Sequence, residues 1–410
     1  MDDVICWGCI GDPHLTREIK RIGEAVECSF CSKRRKCVSI EWLGDKVAKV
    51  LEEHIREGEE IPVWGGPDSD RLSHHEQSGD PLNFWVADAL QLNEDDAVVF
   101  AVCEELGPSH LDIIDGGEGR FDTDANYVRR RRRPVEAEKK WQVFRQQIMH
   151  GRRFFNADLK PFLDWLFRGV ETLRGTGLFE TEVIRELQAG TSFFRARRCD
   201  TSSALVNMLN NPERELVPPP KEKSRAGRMN PAGVPFFYGA YDRDTCIAEL
   251  RPPVEGVVVS GEFRLEKTIR VFDFVNLETA YIESPYSYFD PGYNEKIERA
   301  HFLETLHAKI SKPVLPDAEH EYLITQVIAE YLATQFSIAA DGVIFRSAQR
   351  QKLKDAKNIA LFSHVLPDIK LVPETLQVHN VKQVEYETET RHVYDGRIED
   401  YAEDYDSEWE

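Results

Sequence analysis

Two Cys-x-x-Cys pairs near the start constrain this chain more than any other feature. Cys6-Trp7-Gly8-Cys9 and Cys28-Ser29-Phe30-Cys31 are separated by 18 residues. Each pair offers two thiolates from one short turn, and this spacing falls in the range of four-cysteine zinc knuckles. The expectation is a structural Zn2+ held by Cys6, Cys9, Cys28 and Cys31. A closed four-sulfur shell leaves no position for a substrate, so the metal would serve folding rather than catalysis. Cys37 is a further thiol, either a substitute ligand or unpaired.

The 410 residues have room for two or three domains. A net charge of -20 weighs against nonspecific nucleic-acid binding by the whole chain. The start, Met1-Asp2-Asp3-Val4, has neither a basic region nor a following apolar run, so no secretory signal is expected. Apolar runs such as Ala97–Val102 are too short to span a bilayer. The expectation is a cytoplasmic protein without a membrane, whose eight cysteines bind metal or stay free.

Helical spacing runs through Ile40, Leu43, Val47, Val50, Leu51 and Ile55, and again through Leu82, Trp85, Val86, Ala89 and Leu90. Asn93–Asp96 reads as a cap for the next apolar segment. Trp141, Phe144 and Ile148 form another stripe, and residues 159–173 a further one. The expected fold class is α+β, divided into a zinc-binding knuckle (1–37), a helical domain (38–175), a catalytic domain (176–380) and an acidic tail (381–410). The arginine run Arg129–Arg133 reads as exposed. The tail reads as flexible, with the sharper alternative that it covers a basic surface.

Residues 193–362 place polar groups inside segments that otherwise resemble packed core. Phe193-Phe194-Arg195 reads as a strand. Gly227-Arg228-Met229-Asn230-Pro231 has turn chemistry and precedes a strand carrying Tyr238. Asp242 or Asp244 caps a helix holding Glu249. Residues 276–318 read as less regular, 321–336 as a helix, and Gly342–Phe345 as a strand leading to Ser347, with Asn358 opening another. Buried polar side chains must find partners or serve a ligand. The pattern suggests a pocket for an anionic dinucleotide. No Gly-x-Gly-x-x-Gly follows a strand and no Walker motif is present, which disfavours a Rossmann dehydrogenase or a P-loop NTPase.

Taken in order, these motifs resemble the RES-domain toxins of RES–Xre toxin–antitoxin pairs, named for an arginine, a glutamate and a serine. Arg195, Glu249 and Ser347 match those three, with the Gly227–Pro231 turn, Tyr322–Gln326 and Asn358 around them. The resemblance implies an ADP-ribosyltransferase-like mixed core and cleavage of the nicotinamide–ribose bond of NAD, which is substrate rather than recycled cofactor. Water, phosphate or a macromolecule would accept the ADP-ribose. Glu249, Arg195 and Ser347 are the expected catalytic residues, and Arg228, Tyr238 and Asn358 the expected NAD-binding ones.

A carboxylate at Glu249 would stabilise an oxocarbenium-like transition state. Arg195 and Arg228 would bind pyrophosphate, or else make structural ion pairs. Tyr238 offers a ring face and a hydroxyl, Ser347 a hydrogen bond near nicotinamide or ribose, and Asn358 a tie between strands or an orienting contact. An Xre-type antitoxin or other inhibitor is the implied partner, with homo-oligomerisation left open. The cysteine pairs and helices also resemble the HEPN-type N-terminal domain of some RES proteins. Arg145-x4-His150 fits the HEPN ribonuclease pattern, which gives a ribonuclease as an alternative.

Overall fold

A computed structural model describes residues 3–64, 72–107, 120–130, 134–151, 156–175, 181–281, 286–311, 322–350, 352–353, 355–385, 393–394 and 397–398. The chain forms two compact units, one drawn from Met1–Arg133 and Pro285–Ile297, the other from Pro134–Ser284 and Glu298–Glu399. The expected turn at Gly65–Pro67, Arg131–Arg133 of the arginine run and the 399–410 tail lie outside the described residues.

In the first unit, strand Arg34–Ser39 lies between Val4–Cys6 and Glu24–Glu27 in an antiparallel sheet. Its register sets Cys6 opposite Cys37. Helix Pro13–Ile22 starts where the Asp12 carboxylate accepts from the His14 and Leu15 N–H groups, with Pro13 in the first turn. Helix Ile40–His54 buries Ile40, Leu43, Val47 and Leu51 of the predicted stripe together with Ala48, while Val50 is half-buried and Ile55 opens a strand. Helices Leu82–Leu90 and Ala97–Leu106 complete this core, the second capped by Asp96 as expected. Strands Ile55–Glu57, Glu60–Trp64, Leu72–Gln77 and Asn126–Arg129 add β-structure to a region whose sequence periodicity is helical.

The second unit is built on an eight-stranded sheet. Its strands are β1 (Ile184–Leu187), β2 (Ser192–Cys199), β3 (Phe237–Ala240), β4 (Val257–Leu265), β5 (Ile269–Asp273), β6 (Gly342–Arg346), β7 (Lys357–Leu361) and β8 (Ile369–Asn380). They lie in the order β1-β5-β6-β7-β3-β2-β4-β8, with only β5 and β6 parallel. Alternate residues enter different cores, as the pleat requires. Phe272, Val343 and Ala360 join a helix-covered core, while Val271, Ile344, Ile359 and Leu361 join one with Phe193, Phe237 and Phe263. Burial on both faces explains why Gly342-Val343-Ile344-Phe345 is a continuous apolar run.

The units do not divide at residue 175. Helices Val135–His150 and Leu159–Leu166 bury Trp141, Phe144, Leu163 and Leu166 in the same core as Phe272 and Leu332. Periodicity identifies a helix; it does not say which core receives its apolar stripe. Residues 276–318 also contain more order than expected, since Tyr293–Ser311 is a helix that buries Phe302, Leu303, Leu306 and Ile310.

Candidate active site

The site begins with an interruption in the sheet. β3 pairs with β7 from Phe237–Leu361 to Ala240–Asn358, but with β2 only at Phe194–Ala240. Where that ladder stops, beside Arg195 and Tyr238, lies a cavity of about 620 Å³. Arg195, Arg197, Arg228, Tyr238, Glu249, Arg251, Tyr322 and Asn358 are among its lining residues. That size suits a small-molecule ligand.

Glu249 ends the helix Arg243–Glu249, which is capped by Asp242 through the Thr245 N–H. Its Oε1 accepts from the Ser347 hydroxyl at 2.6 Å and from Asn358 Nδ2 at 2.8 Å. Both donors are nearly inaccessible to solvent, Ser347 at 1% and Asn358 at 5%. Oε2 has no hydrogen-bond partner among the described residues. One oxygen is thus anchored to β7 and to the residue after β6, and the other is left for the cavity. Arg350 Nη1 reinforces the arrangement by donating to Asp242 Oδ1 and Thr245 Oγ1, which ties the segment after Ser347 to the start of the same helix. Ser347 is therefore placed behind the carboxylate and is not among the residues lining the cavity.

A second wall comes from the Gly227–Pro231 turn. Asn230 Nδ2 donates to the carbonyls of Arg225, Pro231 and Val234, while its Oδ1 accepts from the Tyr238 hydroxyl at 2.8 Å. That hydroxyl also accepts from the Met229 N–H. Burial pushes the Tyr238 phenol well above its ordinary range, so it stays protonated. The hydroxyl is committed to the turn, and Tyr238 offers the cavity its ring. A Cβ on Gly227 would lie 2.6 Å from Asn230 Oδ1 and 2.9 Å from the Tyr238 oxygen, which is why the turn needs glycine there. Helix Tyr322–Thr334 clamps the turn: Gln326 Nε2 donates to the carbonyls of Gly227 and Asn230, and Thr325 Oγ1 to that of Arg228. Thr325 and Gln326 belong to the Tyr322–Gln326 motif of the RES resemblance, and their role in holding the turn becomes visible only in the fold.

The arginines differ in their commitments. Arg195 donates from Nε to the Leu216 carbonyl and from Nη1 to the Tyr238 carbonyl, bridging the gap in the sheet. Its Nη2 has no acceptor among the described residues. Burial lowers its pKa to about 10, so it remains a cation at neutral pH. Arg228 donates to the Ile310 carbonyl and lies over the Tyr322 ring. Burial also depresses the Arg228 pKa. Arg197 and Arg251 join these two at the cavity, and neither was singled out as a site residue. In a chain of net charge -20, four arginines and one glutamate line the same cavity, a lining whose chemistry suits an anion.

Behind Ser347 lies a further polar group. The backbone N–H of Arg346 donates to His307 Nε2 at 3.0 Å, and the Arg346 side chain pairs with Glu278 at 2.9 Å. His307 Nε2 is thereby an acceptor, and burial lowers the imidazole pKa to about 4.

The ordered arrangement of Arg195, Glu249, Ser347 and Asn358 on one interrupted sheet agrees with a family assignment. The RES domain family model matches residues 194–388. No match was found among curated proteins or among solved structures. The RES match takes in all six residues expected at the NAD site. Arg145 and His150 lie outside it on helix Val135–His150, the first half-buried and the second exposed.

The four paired cysteines converge as the spacing predicts. Their sulfurs all lie within 4.8 Å of one another, with Cys6–Cys9 at 3.8 Å, Cys6–Cys31 at 3.6 Å and Cys9–Cys28 at 3.9 Å. A tetrahedral ion with Zn–S bonds of about 2.3 Å places its sulfurs about 3.8 Å apart. The donor set therefore fits one thiophilic ion such as zinc. Cys37 is outside the group, its sulfur facing the carbonyls of Val26 and Arg35.

Proposed function

We propose that this RES domain consumes NAD by breaking the bond between nicotinamide and ribose. The observation that carries the reading is the Glu249 carboxylate, pinned through one oxygen by Ser347 and Asn358 and open through the other to an arginine-lined cavity. In the proposed reaction the C1′–N bond breaks and its electron pair goes to the ring nitrogen, so nicotinamide leaves neutral. The ribose carbon becomes electron-poor, and the Glu249 carboxylate stabilises that charge. Water then bonds to C1′ through its oxygen and releases a proton to solvent, or a phosphate oxyanion bonds to C1′ without losing one. The arginines bind the pyrophosphate and hold the dinucleotide across the site. An Xre-type antitoxin, a cytoplasmic location and a resident zinc in the knuckle belong to the same reading.

Purified protein incubated with NAD, with and without phosphate, tests it. Free nicotinamide together with ADP-ribose indicates hydrolysis, and a phosphate-dependent product indicates phosphorolysis. Label from NAD on a protein or RNA indicates transfer. Intact NAD under all conditions would end the proposal.

A further inference from the structure

Arg251 occupies a position where arginine is a poor choice for folding. It follows the helix Arg243–Glu249 and its C-terminal cap Leu250, and its φ is 45°. Its N–H donates to the Ala248 carbonyl, closing the helix end. A left-handed residue just past a helix is most often glycine, because a Cβ is strained there. Pro252 and Pro253 follow and fix the exit of the chain. Ser32, Gln91 and Glu255 share this backbone region, so the angle alone assigns no role, but strained residues cluster at functional sites.

Three further observations point to a role for Arg251. Arg251 lines the same cavity as Glu249. Its guanidinium makes no hydrogen bond or ion pair with any described residue. It also lies near Arg228, adding to the burial that depresses the Arg228 pKa. Glu249 already offsets the repulsion between Arg228 and Arg251, and a further anion at the cavity would be attracted by both guanidinium groups. Of the two, Arg228 is tied to the Ile310 carbonyl, and Arg251 is the adjustable arm.

We propose that Arg251 is a specificity-determining residue that, with Arg228, clamps a phosphate group of the ligand, its backbone strain being kept for that purpose. The inference deepens the NAD reading and rests on it for the identity of the ligand. The phosphate has two sources, the pyrophosphate of a dinucleotide and a free phosphate acceptor.

The test is Arg251→Gly in the full-length protein, with Arg251→Lys beside it. Glycine relieves the strained φ, so the variant is expected to melt no lower than wild type. Calorimetric titration with ADP-ribose and with inorganic phosphate reads binding directly, without turnover. Loss of one charge-assisted contact predicts about ten- to hundredfold weaker binding of the phosphate-bearing ligand, with Lys intermediate. Weakening confined to ADP-ribose identifies the pyrophosphate, and weakening confined to inorganic phosphate identifies the acceptor. Binding of both ligands unchanged in Arg251→Gly, or wild type that binds neither, overturns the proposal. Wild type that binds ADP-ribose in an Arg251-dependent way but leaves NAD intact would keep the clamp and remove the NAD-cleavage reading.

Discussion

Replacing Glu249 with glutamine separates charge from shape at the site. The amide oxygen of glutamine can take the place of Oε1 and still accept from Ser347 and Asn358, which lie 2.6 and 2.8 Å away in the wild type. What disappears is the negative charge on the cavity side. A full charge about 4 Å from a developing cation contributes about 4 kcal/mol at an effective dielectric of about 20. Glu249 is exposed to the cavity, so screening lowers the smaller end of the range to about 2 kcal/mol. The expected fall in kcat is therefore between about thirtyfold and about a thousandfold. Nicotinamide release is followed by chromatography under saturating NAD, with the melting temperature measured in parallel. The fold should be unaffected, because both hydrogen bonds survive. A Glu249→Gln enzyme that releases nicotinamide at the wild-type rate would refute the electrostatic role assigned here.

Asn358→Ala removes one of the two donors on Oε1 but leaves Ser347, so about tenfold lower kcat is expected with a smaller change in KM; unchanged kcat would show that the anchor is dispensable. Chelation, or Cys9→Ala, should remove one metal ion per chain by native mass spectrometry and raise amide exchange across residues 4–39; a wild-type mass without bound metal would reject the knuckle. His307 is held neutral by burial, with its pKa lowered from 6.5 to about 4, so the unfolded chain binds the proton more readily. Its contribution to stability is full above about pH 6.5 and is lost as pH falls toward 4, by at most about 3 kcal/mol. Urea midpoints of wild type and His307→Gln at pH 7.5 and 4.5 read this, and equal losses in both proteins would contradict it.

Glu249, Ser347 and Asn358 could be chosen from the chain because they stand in the ordered motifs of the RES resemblance; Ser347 and Asn358 are buried, whereas Glu249 is exposed. That they share a single oxygen could not be chosen, since Ser347 and Asn358 reach Glu249 across strands about a hundred positions along the chain. Arg195 shows the reverse: its residue type points to an anion, yet two of its donors hold backbone carbonyls at a gap in the sheet. Arg251 carries no sequence signal of its own, because its distinguishing property is a backbone angle. Helix Tyr293–Ser311 was obscured by its many charged and polar residues, although it supplies His307 and the Ile310 carbonyl near the site.

Residue type and short-range spacing are enough for the local pieces: the cysteine pairs, the capped helices, the apolar strands and the Gly227–Pro231 turn. Each depends on contacts between residues a few positions apart. Long-range packing selects which core receives helices Val135–His150 and Leu159–Leu166, where β2 parts from β3, and which oxygen of Glu249 remains available. Those outcomes depend on packing and hydrogen bonds between residues distant in the chain, and the energies that select them belong to the folded arrangement as a whole.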